Sequence, residues 1–291
     1  MTTALTRLSG SAFEVTMTIA WADVKSIYDQ VFAELAADIE VEGFRKGKAP
    51  QNLIEAKIDK SKVYSEVINR VLPDAYQKAL GEHGLKPIIA PKVQIASAEE
   101  AKDWQFIARA AEKPTVDLGS YQDAIKTINA KEKIWVPGQV KEPAQPAGGP
   151  TKEDEEKKSK RVSEIIDQLL KICQVELAEL LVESEVNRLM TQLIDDVRQA
   201  GLTFEQYLAS KSETAEVVRT KYHTQAETAL KLEFILNALA DDLQIQVGQE
   251  EIDAIINKEV DPAKKTALQE QSYVLSSILR REKTIDKLSS L

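Results

Sequence analysis

Apolar and polar residues alternate near the start of the chain, where Phe13, Val15, Met17, Ile19 and Trp21 are separated by Glu14, Thr16, Thr18 and Ala20. A period of two sorts these residues onto opposite faces, which predicts a strand with one buried face. The period then lengthens. Val24, Ile27, Tyr28, Val31, Leu35 and Ile39 recur three and four apart, the spacing of a helix with one apolar stripe. Further on, Pro50 can occupy the first turn of a short helix carrying Leu53, Ile54 and Ile58. Ser61 can cap another with Val63, Val67, Val71, Leu72, Ala75, Tyr76 and Leu80, which Pro73 should kink or divide. Ile88 to Ile95 and Trp104 to Ala110 read as two more strands, the second with Trp104, Phe106 and Ala108 on one face. Residues 1–113 are thus expected to form an α+β domain.

The pattern changes after that. Residues 137–150 include Pro137, Gly138, Pro143, Pro146, Gly148, Gly149 and Pro150, a composition that disfavours helix and sheet alike and reads as linker. Thr151 to Arg161 is charged and nearly free of apolar groups, as at the start of a solvated helix. From Val162 onward the spacing is helical. Val182, Val186, Leu189, Met190, Leu193 and Val197 form one stripe, which Gly201 is placed to end, and Thr203 with Gln206 has the spacing of a capping box. A long segment through Val217, Tyr222, Leu230, Phe234 and Leu243 is broken by Gly248, and Asp261-Pro262 opens a last helix with Val274, Ile278 and Ile285. The expected organisation is an α+β domain over 1–113, a connector and linker over 114–160, and an all-α domain over 161–291.

Between the first two helical stripes lies Gly43-Phe44-Arg45-Lys46-Gly47-Lys48-Ala49-Pro50, an aromatic ring and three cations on a turn bracketed by two glycines. The glycines permit backbone angles closed to other residues, so the loop can turn sharply and project Phe44, Arg45 and Lys46 outward. A phosphate-binding P-loop is excluded by spacing, and Ala49 stands where a metal-binding hydroxyl would be needed. The charge balance sharpens the point. The whole chain carries −9, whereas residues 42–62 hold six basic groups against three acidic ones, so one basic site sits on an acidic body.

This segment with its flanking helices resembles the ribosome-docking signature of the trigger factor family, the bacterial chaperones that meet nascent chains at the exit tunnel. The resemblance implies that Gly43, Phe44, Arg45, Lys46, Gly47 and Lys48 contact the large ribosomal subunit, protein and rRNA, near that exit. Pro114-Thr-Val-Asp-Leu-Gly-Ser-Tyr121 is similar to the family's extended connector, and the helical half is similar to its substrate-binding domain with helical arms. The best local matches there are the stretch from Leu180 to Leu189 and Leu243-Gln-Ile-Gln-Val-Gly-Gln-Glu-Glu-Ile252. In most members the connector leads into an FKBP-like prolyl isomerase domain. A compact domain needs about fifty residues or more with its own core, and from Lys126 to Arg161 the one aromatic is Trp135. That domain is therefore expected to be absent.

Other chemistry is sparse. Cys173 is the single cysteine, set among Ile165, Ile166, Leu169, Leu170 and Ile172 as a buried structural thiol, and the two histidines suggest no metal site. Neither a signal-peptide core nor an uncharged apolar run of about twenty residues is present, so a cytoplasmic protein with no membrane partner is expected. With no cofactor motif and no assembled nucleophile and base, the expectation is no enzyme but an ATP-independent holdase for unfolded or nascent polypeptides. Leu189, Met190, Leu193, Phe234 and Ile278 are the candidate client contacts, each also readable as ordinary core. Two alternatives stand beside this one: a ribosome-associated assembly or scaffold protein that holds a specific folded partner in the helical cradle, and a prolyl isomerase with a reduced domain. A weak homodimer is compatible with each.

Overall fold

A computed structural model describes residues 1–39, 57–132, 152–258 and 261–291. The chain divides into two compact units, Met1–Lys113 and Pro114–Leu291.

The first unit contains strands β1 (Thr2–Arg7) and β2 (Ala12–Ile19), helices α1 (Trp21–Asp38) and α2 (Lys60–His83), and strands β3 (Lys92–Ser97) and β4 (Trp104–Ala111). The strands form one sheet in the order β1-β2-β4-β3, with every neighbouring pair antiparallel. Val15 faces Ala108 and Met17 faces Phe106 across β2 and β4, which gathers the apolar positions of both strands on one side. Val24 and Val31 of α1 and Val63, Val67, Val71 and Ala79 of α2 cover that side, and all of these residues are buried in one cluster. Trp21, expected to end the strand, instead begins α1. The local sequence supplies no side-chain cap there; the Trp21 N–H is bonded at 2.9 Å by Asp103, eighty-two residues away. Its ring lies 6.5 Å from that of Trp104.

Pro73 does not divide α2, which runs unbroken through it. Proline removes one N–H and leaves the Asn69 carbonyl without its helical partner, but both residues are exposed, where solvent can bond that oxygen. Asp59 caps the start of α2 by accepting from the Ser61 N–H at 3.0 Å. The end is closed by Gly84, whose φ of 64° carries the chain into the left-handed turn that returns the Leu85 N–H to Leu80 at 2.9 Å.

The described residues of the second unit are helical apart from a two-stranded ribbon and the turns. Its elements are β5 (Val116–Asp117), α3 (Tyr121–Glu132), α4 (Lys152–Ile172), β6 (Gln174–Val175), α5 (Glu179–Gln199), α6 (Phe204–Lys211), α7 (Ala215–Asp242), α8 (Gln249–Ile256), α9 (Pro262–Glu270) and α10 (Ser272–Ser289). The segment read as an extended connector therefore folds differently. Val116 pairs with Val175, while Tyr121 and Ile125 of α3 enter the same core as Ile165, Leu169, Cys173, Ile235, Leu239 and Leu288. Gly119, at φ 51°, makes the turn between strand and helix; a Cβ there would meet the Ile172 side chain at 3.0 Å. Buried Asn129 donates to the Leu288 carbonyl at 3.2 Å and accepts from Arg161 at 2.9 Å, and Arg161 also reaches the Ser289 carbonyl. These bonds satisfy the orphan carbonyls at the end of α10 from two other helices.

A second, smaller core holds α5 against α7 through Val182, Val186 and Ala226, with Leu177, Leu189, Met190, Tyr222 and Leu230 packed around it. Between these helices the predicted capping box forms: Thr203 accepts from the Gln206 N–H at 3.2 Å, and Gln206 accepts from the Thr203 N–H at 2.9 Å. The result is a helical arm. Arg280 and Lys283 of α10 tie the turn after α7, bonding the Ile245 carbonyl at 2.9 Å and the Gln246 carbonyl at 3.2 Å.

Candidate functional surfaces

The octapeptide residues Gly43, Phe44, Arg45, Lys46, Gly47 and Lys48 lie outside the described residues. α1 ends at Asp38 and α2 begins at Lys60, and an open groove between the two helices is lined by Glu34, Leu35, Ser61, Lys62, Ser65, Glu66, Asn69 and Arg70. Arg70 grips Glu34 with two nitrogens, at 3.0 and 2.6 Å, and bonds Glu66 with its third at 3.1 Å. The Arg70 hydrogen bond holds the Glu34 carboxyl below its ordinary pKa, and the two carboxylates push the Arg70 pKa up in return.

The five candidate client contacts separate by environment. Phe234 is buried, so its ring is interior in this conformation; Ile235 and Leu236 beside it are buried too, showing that this part of α7 is packed on several sides. Leu189 and Met190 are partly buried against the arm core, and Leu193 is half-buried one turn further on. Ile278 is exposed. With Val274 one turn earlier and the almost fully exposed Tyr273 (86%), it forms an apolar surface on the outer part of α10. The same stripe continues to Ile285, which packs into the base core. Lys158, Arg281, Glu282 and Asp286 rim the groove beside Ile278 and Ile285, with Lys158 and Asp286 paired at 3.2 Å.

Tyr273 and Val274 were not singled out from sequence as client contacts, although the i, i+4 spacing of Val274 and Ile278 was a usable signal. Leu202 and Val217, at the two ends of the turn region that carries α6, are exposed as well. Nearby, the rings of Phe204 and Tyr207 stack at 6.4 Å. Cys173 is buried and donates toward the Leu118 carbonyl, and burial, assisted by Asp117, pushes its thiol up to about 11, far from a nucleophile. Among the described residues no His, Cys, Asp and Glu side chains gather into a metal site, and no helix is long and apolar enough to cross a membrane.

The described residues thus present open grooves and exposed apolar helix faces on an acidic, two-unit chain. Comparison supplies the family. A model described as bacterial trigger factor protein matches residues 1–136, and one described as bacterial trigger factor protein C-terminus matches residues 150–290. The chain belongs to the trigger factor family.

Similar curated proteins include trigger factor of Streptococcus agalactiae, 35% identical over 120 residues, which is 41% of this chain and 28% of that protein. Trigger factor of Lactococcus lactis subsp. lactis is 32% identical over 134 residues, 46% of this chain and 31% of that protein. The chain thus matches less than a third of the length of these relatives. A solved structure from work on promiscuous substrate recognition in folding and assembly activities of the trigger factor chaperone superposes with a TM-score of 0.68, covering 100% of this chain and 99% of that one. At 14% identity, that likeness is one of fold.

Proposed function

We propose that this chain is an ATP-independent holdase that docks at the ribosomal tunnel exit and shields nascent or unfolded polypeptides. Docking falls to Phe44, Arg45 and Lys46, with Gly43, Gly47 and Lys48 shaping and charging the turn. Capture falls to the exposed apolar faces of the helical unit. The observation that carries this reading is the apolar surface of Tyr273, Val274 and Ile278, left uncovered within its unit and rimmed by charge. Such a face is stabilised by transient burial against an apolar segment of another chain. Leu189, Met190 and Leu193 can extend the contact along the arm, where the Met190 thioether adapts to varied partners.

Prolyl isomerase activity is not part of the proposal. The two family matches leave residues 137–149 between them, too short a stretch for a further compact domain. The chain would act in the cytoplasm, and a weak homodimer, readable by sedimentation velocity, would compete with clients for the same faces. The deciding experiment is ribosome co-sedimentation of wild type and of the Phe44→Ala, Arg45→Ala, Lys46→Ala triple variant, with aggregation suppression measured in free solution. The expected result is loss of pelleting with suppression retained. Wild-type pelleting by the triple variant would remove the docking assignment.

A further inference from the structure

We propose that the outer edge of β1 binds an extended, uncharged segment of an unfolded polypeptide, adding it to the sheet as a further strand. The inference rests on the reading that this chain captures unfolded polypeptides, and gives it a second site that recognises backbone instead of apolar side chains. β1 pairs with β2 in unbroken register from Thr2 opposite Thr18 to Arg7 opposite Phe13, and no described strand lies beyond it. One bond fixes the direction of its backbone groups. The Leu8 N–H meets the Ala12 carbonyl at 2.8 Å, which continues the same register. Backbone groups of successive residues point to alternate sides of a strand, so Thr2, Ala4 and Thr6 bond β2 while Thr3, Leu5 and Arg7 aim their N–H and C=O groups outward.

The residues that present those groups are anchored through their side chains. Thr3 Oγ1 donates to Glu82 at 2.7 Å and lies 2.9 Å from Nε2 of His83, Leu5 packs against the core, and Arg7 is paired with Glu112. An edge already held in the paired conformation has less ordering to lose when a partner strand arrives.

The opposite edge of the sheet is built differently. β3 follows Pro91, begins at Lys92, and shifts its register with β4 between Ile95 and Ser97. Proline, lysine and a bulge are devices that keep a sheet edge from recruiting another chain. β1 has none of them. It carries no side-chain charge from Thr2 to Thr6, its threonines favour the extended state, and its one cation, Arg7, is neutralised by Glu112. A second copy of β1 could also add here, but six residues a side fall far short of the about twenty to thirty in a stable interface. An uncharged edge with open backbone groups matches an uncharged extended segment, which main-chain bonds can hold briefly whatever its sequence.

The test uses the full chain and a fluorescent decapeptide of alternating valine and threonine, with anisotropy reading affinity and residue-resolved hydrogen exchange reading the site. In the free protein the amides of Ala4 and Thr6 should exchange slowly and those of Thr3, Leu5 and Arg7 fast; bound peptide should slow the latter three about tenfold. The same peptide N-methylated at every residue should not bind. Thr3→Pro removes an outward N–H and no ladder bond, so it should melt with the control Thr3→Ala yet bind the peptide about three- to tenfold more weakly than that control. Peptide binding that leaves the Thr3, Leu5 and Arg7 amides unchanged, equal binding of the N-methylated peptide, or no binding would overturn the edge site. So would a dimer, seen by sedimentation velocity, that Thr3→Pro abolishes and Thr3→Ala does not, because the edge would then belong to a second copy. Aggregation suppression measured alongside keeps the two readings apart: if it persists in any of these cases, capture stands on the helical faces alone, and if it is absent, capture falls and the edge site falls with it.

Discussion

The two units solve the problem of burying helices in different ways. In the first, a sheet collects the large rings: Trp104, Phe13, Phe106 and Met17 are among the most deeply buried side chains in the chain, and Trp104 sits within ring contact of Trp21, Tyr64 and Phe106. One core joins β2 and β4 to both helices. In the second, aliphatic side chains are divided between a base core around Leu239 and an arm core around Val186, with α7 passing through both. A single interlocked core resists local opening, whereas divided cores allow one end of a unit to move while the other stays folded. Under the function proposed above, the first design would serve as a platform and the second as a surface that adapts to unlike partners.

The sharpest way to break the comparison is to hollow out the platform. Trp104→Ala should destabilise the first unit by about 3–5 kcal/mol, since it removes a fully buried ring and leaves a cavity. Calorimetry should then show two transitions, with that of the helical unit unmoved. A single transition shifted as a whole would show that the units unfold together. A smaller contrast lies within the helical unit. Leu239→Ala in the base core should cost about 2–5 kcal/mol and affect α3, α4, α7 and α10 together. Val186→Ala removes less volume, and in hydrogen exchange it should loosen α5 and the adjoining part of α7 while amides of α4 keep their protection.

The same contrast explains what sequence could and could not reveal. Strand β2 was legible because Phe13, Val15, Met17 and Ile19 all face one core, whereas β1 was missed because it is a sheet edge whose Thr2, Ala4 and Thr6 bury little and whose single large apolar residue is Leu5. β3 was placed too early. Pro87 and Pro91 break Ile88 away from it, and its Val93 and Ile95 remain exposed at the other edge despite facing Ala108 and Phe106. The arm stripe through Val182, Val186, Leu189 and Met190 was readable from spacing alone. Which of its neighbours are exposed was not, because that depends on the second helix laid across them. Phe234 and Ile278 sit on equally periodic helices, yet α7 is surrounded at Phe234 and α10 is open at Ile278. The ribbon of Val116 with Val175 and the clamp of Arg70 on Glu34 join residues far apart in sequence, where no local pattern exists to read.

Exposed apolar residues provide the next test, with an effect on binding rather than on folding. Tyr273→Ser and Ile278→Ser should leave stability within about 0.5 kcal/mol, as for surface positions generally. If these side chains bury against clients, the double variant should hold unfolded substrates about tenfold more weakly, the effect of losing part of one or two apolar burials. Unchanged suppression of aggregation would move capture to the arm, and Leu202 with Val217 would be the next pair to change.

The smallest effect expected is electrostatic and belongs to the platform. Glu112 accepts a hydrogen bond from the Lys86 N–H at 2.7 Å with one oxygen and from Arg7 with the other, so it ties the end of β1 to the chain after α2. These donors hold its carboxyl below the ordinary value of 4.5, the Lys86 N–H first and Arg7 second. A carboxyl with a depressed folded pKa adds stability above its unfolded pKa and loses it as pH falls through the folded one. Arg7→Ala should therefore cost about 0.2–1 kcal/mol at neutral pH, as for a half-exposed pair. Glu112→Gln should cost slightly more, because it weakens the Lys86 bond as well. In both, the gap to wild type should close as the pH drops below the carboxylate range, read as converging melts of the first unit. A gap that persists at low pH would mean that Glu112 acts through packing and not through its charge.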